Sequence, residues 1–274
     1  EERVEPVPGY NLVTGIDINI QKYCEQIAYN ALGAKQANYV SVIVMNPRNG
    51  EIMAMVNAPE FDLNNPYSLT EEFSNDTSGK SKQDLLNNMW RNQCINDTYE
   101  PGSTFKIVTA TAALSENLVS LDSTFNCPGF VVVDDRRIRC HKTTGHGSQD
   151  FVHGTMNSCN PVFIGLGQKI GVSKYYTYLN KFGLLKRTGI DLPGEAGSIF
   201  LKEEKVGPVE LATIAFGQRF EITPLQLITA VSSIANGGTY VKPRIVKKII
   251  NDLLCWHCVK IAMLRNYAET PICI

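Results

Sequence analysis

From Asp17 onward, apolar side chains recur at helical spacing. Ile20, Tyr23, Ile27 and Ala28 form one stripe, which predicts a helix over residues 17–33 with Asp17 as its N-cap. The pattern then changes to two dense apolar runs, YVSVIVMN at 40–47 and EIMAMVN at 51–57. Pro47-Arg48-Asn49-Gly50 lies between them, and its Asn-Gly pair is a strong turn signal, so the runs read as a β-hairpin. Residues 62–100 are polar and rich in Asn, Asp and Ser, with only Leu85 to Trp90 helical in pattern. A surface excursion of this length more often carries function than packing. An apolar helix is predicted over 103–115, behind the turn Glu100-Pro101-Gly102, and a second hairpin over 129–139 with Asp134-Asp135 near its tip. Helices are predicted at 161–170, 173–182, 208–216 and 223–235. The last has Thr223 as N-cap, Pro224 at its first position and Gly237-Gly238 beyond its end.

Composition narrows the class. The chain of 274 residues is long enough for one large domain or two small ones with a hydrophobic core. At 43% hydrophobic and 19% charged it matches neither a disordered nor a fibrous protein. Its net charge of -1 argues against nucleic acid as a partner, and Lys242, Arg244, Lys247 and Lys248 read as a solvated strand face. No apolar run reaches the ~18 residues of a membrane span, and no signal peptide is visible at Glu1. Glu1 to Pro8 look like a cut inside a longer protein, so any membrane anchor is expected outside this chain.

The candidate chemistry starts at Ser103-Thr104-Phe105-Lys106. Residues three apart share a helix face, so the Lys106 amine can reach the Ser103 hydroxyl. A serine hydroxyl is a weak nucleophile until a base takes its proton, and a lysine becomes that base when burial lowers its pKa. The helix start also offers backbone N–H groups to a developing oxyanion. Ser-x-x-Lys is a short pattern that arises by chance; its place after a tight turn and a long loop is what singles it out. Two Ser-x-Asn patterns follow. Ser115-Glu116-Asn117 reads as a helix terminus. Ser158-Cys159-Asn160 reads either as helix caps or as a hydroxyl relay and an amide donor facing a cleft, with Cys159 as a small packing residue.

YEPGSTFKIVTATAAL (99–114) and MNSCNPVFIGLG (156–167) resemble the first two motifs of the penicillin-binding transpeptidases. Four flanking segments match in the right order: GIDINIQ (15–21), VIVMNPRNGEIMAMVNAPEFDLNNP (42–66), TGIDLPGE (188–195) and GQRFEITPLQLITAVSSIANGG (217–238). The resemblance is to the class B, monofunctional enzymes of the stage V sporulation protein D or division-transpeptidase kind. CHKTTGHG (140–147) leans toward the sporulation branch.

The resemblance implies an α/β (α+β) fold, an antiparallel sheet flanked by helices, with a helical subdomain bearing the second motif. It implies that Ser103 attacks the D-alanyl-D-alanine bond of a peptidoglycan stem peptide, that Lys106 takes the proton, that Ser158 relays a proton to the leaving amine, and that Asn160 holds the substrate backbone. Penicillins and other β-lactam antibiotics would acylate the same Ser103. The expected location is the extracytoplasmic face of the bacterial membrane, and no metal or organic cofactor is implied. In such a compartment Cys127 and Cys140, which flank the second hairpin, are either a disulfide or two buried thiols.

The chain departs from the family in two places. The third motif, Lys-Thr-Gly or Lys-Ser-Gly on a strand, has no counterpart after Asn160. Arg187-Thr188-Gly189 belongs to the TGIDLPGE segment, and Lys142-Thr143-Thr144-Gly145 is out of order with one residue too many. The resemblance covers about residues 10–250, so the transpeptidase domain is expected over 1–250 with an incomplete sheet, followed by an atypical tail at 251–274. Cys255-Trp256-His257-Cys258 in that tail is a lone C-x-x-C, too little for a zinc site of four ligands. Four readings stand: a transpeptidase, a penicillin-recognising module that acylates without turnover, an inactive remnant, and a serine β-lactamase, which the flanking segments fit least well.

Overall fold

The computed structural model describes residues 9–250. The tail at 251–274, with Cys255, His257, Cys258 and Cys273, lies outside the described residues.

The predicted helices form close to their predicted limits, for the reasons the sequence supplies. The first spans Ile18–Lys35, and the Asp17 carboxylate accepts hydrogen bonds from Asn19 N–H and Ile20 N–H. Pro224–Ala235 starts from a capping box in which Thr223 and Gln226 bond each other's backbone N–H. The hairpin Val40–Met45/Ile52–Ala58 is antiparallel. Its second strand alternates buried and half-buried positions, as a sheet with one face against a core requires. Cys24 and Ala28 of the first helix pack on that face, against Ala54, Val56 and Ala58.

The two ends of the described chain meet. Strand Asn11–Thr14 pairs with Val246–Ile250, and Arg244 bridges to Glu51 in parallel fashion. Asp191, from the segment TGIDLPGE, holds this junction by accepting from Ile245 N–H and Val246 N–H at 2.7 Å each. The basic run over 242–248 does lead into a mostly exposed strand.

The second hairpin is Phe130–Val133/Arg136–Arg139, with Asp134 at its tip in the left-handed region at φ 51°. Residues on either side of it form a ladder absent from the sequence reading, Thr124–Cys127 against Gly147–Asp150. Both strands are only four residues long; Thr124–Cys127 alternates polar and apolar side chains too briefly to stand out, and Gly147–Asp150 is polar throughout.

The largest core surrounds the helix that follows Ser103. Phe105, Val108 and Ala112 pack with Phe163, Ile164 and Leu166 of helix Asn160–Ile170 and with Leu211, Ile214 and Ala215 around helix Pro208–Ile214. The polar excursion carries one helix of more than four residues, Lys82–Met89, which starts three residues before the predicted stretch from the N-cap Ser81. The mixture of helices with antiparallel strand pairs is the α+β arrangement the sequence led us to expect.

Candidate active site

Ser103 does not stand in the α-helix but in a 3₁₀ turn, Gly102–Phe105, that leads into helix Lys106–Ser115. In a 3₁₀ turn side chains three apart eclipse one another, so this geometry aligns Ser103 with Lys106 more closely than an α-helix would. The turn is held from two directions. Phe105 is fully buried and meets Phe220 edge-on at 4.7 Å, and Phe220 stacks on Phe200 at 4.5 Å. Gly102 N–H donates to Gly217 O at 2.8 Å, and Arg219 N–H donates to Glu100 at 2.8 Å. Gly217 sits at φ 88°, where a Cβ would lie 2.0 Å from Gly102 O, so only glycine lets the segment GQRF approach the nucleophile turn.

The second motif arrives from the other side. Helix Phe151–Met156 ends with Ser158 at φ 47° and with Cys159 N–H bonded to Gly154 O, after which helix Asn160–Ile170 begins with Pro161 in its first turn. A serine in the left-handed region is a strained choice, of the kind that the surrounding structure must enforce.

Lys106 joins the two motifs. Its side chain is buried, and Nζ donates to Ser103 Oγ at 3.2 Å, Ser158 O at 2.7 Å, Ser158 Oγ at 3.0 Å and Asn160 Oδ1 at 2.7 Å. Burial pulls its pKa down to about 8. Asn160 Nδ2 donates to Arg139 O at 3.1 Å. Ser103 is exposed in a cleft of about 470 Å³ bordered by Arg137, Arg139, His141, Asn160, Phe216 and Gln218. The arrangement is an exposed hydroxyl with a base of lowered pKa and a second hydroxyl within reach of that base. It can support nucleophilic acyl transfer.

The other candidates fall elsewhere. Ser115-Glu116-Asn117 ends the Lys106–Ser115 helix, and Glu116 accepts from Lys174 and Tyr178. Thr188 and Gly189 both donate to the buried Glu195 carboxylate, at 2.6–2.9 Å, so this Thr-Gly pair is committed to its own loop. Cys127 and Cys140 are free thiols here and not a disulfide; each is buried, with Cys159 and His146 beside them. The Thr109 hydroxyl, behind the nucleophile helix, bonds Tyr175 and Ala215 O, a buried tie with no signal in the sequence.

Residues 40–270 match the family model of the penicillin binding protein transpeptidase domain. The chain is 39% identical over 254 residues to stage V sporulation protein D of Bacillus subtilis, covering 92% of this chain and 37% of that protein. It is 30% identical to the penicillin-binding protein PbpB of Mycobacterium tuberculosis, over 90% of this chain and 34% of that protein. It thus spans less than two fifths of the length of these curated relatives. Among solved structures it resembles penicillin binding protein 3 of Mycobacterium tuberculosis in complex with aztreonam, with a TM-score of 0.78 and 28% identity over 92% of this chain and 53% of that one.

Proposed function

Since the chain belongs to the penicillin-binding protein transpeptidase family, we propose that it catalyses acyl transfer from peptides ending in D-alanyl-D-alanine, with Ser103 as the nucleophile. The observation that carries this reading is the placement of Lys106 Nζ between Ser103 Oγ and Ser158 Oγ. In its neutral form Lys106 takes the Ser103 proton as Oγ attacks the peptide carbonyl carbon. The Gly102 N–H is committed to Gly217 O, so the backbone N–H of Ser103 itself is the donor this turn would offer to the developing oxyanion. As the tetrahedral adduct collapses, the proton passes from Lys106 through the Ser158 hydroxyl to the leaving amine. The acyl group stays on Ser103 until an amine of a neighbouring stem peptide takes it. Asn160 orients Lys106 through Oδ1 and borders the cleft that would receive the substrate backbone.

Related proteins named as peptidoglycan D,D-transpeptidases, and a similar structure holding aztreonam, support stem peptides and β-lactams as the molecules that reach Ser103. The extracytoplasmic face of the membrane is the location that such substrates require. No helix among the described residues is long and apolar enough to cross a membrane, so an anchor would come from outside them.

A second reading is favoured by one feature, the lack of a Lys-Thr-Gly or Lys-Ser-Gly triplet after Asn160. Without it, one side of the oxyanion hole and the substrate carboxylate contact need another source. The chain would then acylate slowly and release poorly, as a penicillin-binding module. Incubation with labelled penicillin, read by intact mass beside Ser103→Ala, tests both. A Ser103-dependent adduct supports the nucleophile. Peptide turnover separates the transpeptidase from the binding module. No adduct on a folded sample would remove both readings.

A further inference from the structure

Three buried cysteines and a histidine converge beside the Ser158–Asn160 turn, and the chemistry proposed above uses none of them. Cys127 ends one strand of the Thr124–Cys127/Gly147–Asp150 ladder, and His146 immediately precedes the other. Cys140 follows the last strand of the second hairpin, and Cys159 lies between Ser158 and Asn160. One ligand atom from each, three sulfurs and an imidazole nitrogen, lies within 4.8 Å of all the others. The three thiols are at most 2% exposed.

The set has the chemistry of a closed metal centre. Zinc with bonds of about 2.3 Å to sulfur and about 2.0 Å to nitrogen holds its tetrahedron of ligand atoms some 3.5–3.8 Å apart. The four atoms here need to contract by only about an ångström to reach it. Three thiolates and one imidazole select zinc-class cations over magnesium or calcium. The loop that brings His146 in is fitted to the strand that carries Cys127. Gly145 sits at φ 84°, and a Cβ there would lie 2.3 Å from Cys127 O. A disulfide would use two of the three thiols and leave the third beside an idle imidazole, whereas a tetrahedral cation uses all four groups.

We propose that Cys127, Cys140, His146 and Cys159 bind one zinc-class divalent cation in a closed structural site, which fastens the Ser158–Asn160 turn to the two neighbouring strand pairs. All four ligands are protein groups, so the ion has no open position and acts as a clamp. Cys159 fixes the turn between the two second-motif residues. Cys140 fixes the end of the strand whose Arg139 carbonyl already receives Asn160 Nδ2. Only this consequence for Ser158 and Asn160 rests on the acyl-transfer reading; the metal site does not.

The test uses the full chain, reduced, stripped of metal by chelation, shown to be folded, and titrated with cobalt(II). One cobalt per chain is expected, with a sulfur-to-cobalt charge-transfer band and the visible bands of a tetrahedral ion, both bleached by zinc. Cys127→Ser and His146→Ala should lose these bands, and Cys255→Ser with Cys258→Ser should keep them. Because the first variants can fail to fold, the unmodified chain supplies a second readout. Zinc should slow alkylation of Cys127, Cys140 and Cys159 by about tenfold or more, read peptide by peptide, and leave Cys24 and Cys94 unchanged. Absence of the cobalt bands would overturn the proposal. So would bands that depend on Cys255 and Cys258, or equal alkylation with and without zinc. Neither readout involves penicillin or a peptide, so failure here is distinct from failure of the acyl-transfer reading.

Discussion

Asn160 Oδ1 accepts a 2.7 Å hydrogen bond from Lys106 Nζ, which leaves its amide nitrogen to hold the Arg139 carbonyl at 3.1 Å. One side chain therefore orients the base and ties the helix bearing the second motif to the hairpin at the cleft edge. The relationship fixes which way the amide points, because each end has one suitable partner. It also links the position of Lys106 to the hairpin, which no feature of the Ser103 helix could do alone.

Acylation of Ser103 is expected to accelerate as pH rises. Burial puts the Lys106 pKa at about 8, so the neutral amine that accepts the serine proton is the minor form below that value and the major form above it. The rate of penicillin adduct formation, measured from pH 6 to 10, should climb with a midpoint near 8 and then level. A flat profile would exclude Lys106 as the base. Lys106→Arg should lose acylation altogether, since a guanidinium keeps its proton.

Ser158→Ala removes the hydroxyl that lies 3.0 Å from Lys106 Nζ. Acylation should fall by roughly 10²–10⁴-fold, the usual contribution of a positioned proton-transfer group. Denaturant unfolding should move little by comparison. A fall in stability matching the fall in rate would make Ser158 a structural residue.

Gly217→Ala should be costly at a distance from any reacting atom. Its Cβ would press on Gly102 O at 2.0 Å, at a φ of 88° that alanine resists. A loss of about 2–4 kcal/mol is expected in urea unfolding, with slower acylation because the Ser103 turn must shift. Wild-type stability in this variant would show that the two segments are not in contact.

Glu195→Ala tests a purely structural network. The buried carboxylate accepts from Thr188 N–H, Thr188 Oγ1 and Gly189 N–H, and its removal orphans all three donors. About 3 kcal/mol of stability should be lost, while the pH midpoint of acylation stays in place. A displaced midpoint would connect this loop to Lys106.

Much of this architecture was legible in the chain because the signals are local. Asp17, Thr223 and Pro224 start helices by satisfying or omitting backbone N–H groups within a few residues, and the structure begins both helices there. Asn49-Gly50 and Asp134-Asp135 turn their hairpins at the predicted places. The Ser103–Lys106 spacing places two groups on one face whatever the rest of the chain does. The ladder Thr124–Cys127/Gly147–Asp150 left no such trace, since four residues are too few to establish a period, Gly147–Asp150 is polar throughout, and the two strands meet only by pairing across the second hairpin.

The sequence by itself determined the helices, the two hairpins, the Ser103–Lys106 pair and the family to which they point, because each depends on neighbours in the chain. Tertiary structure alone decided that Lys106 reaches Ser158 and Asn160, that Thr188 and Gly189 are bound to Glu195, and that Cys127, Cys140, His146 and Cys159 converge. Those contacts join residues on separate elements. Their distances are set by how the core around Phe105 and Phe163 packs, a property that no local pattern encodes.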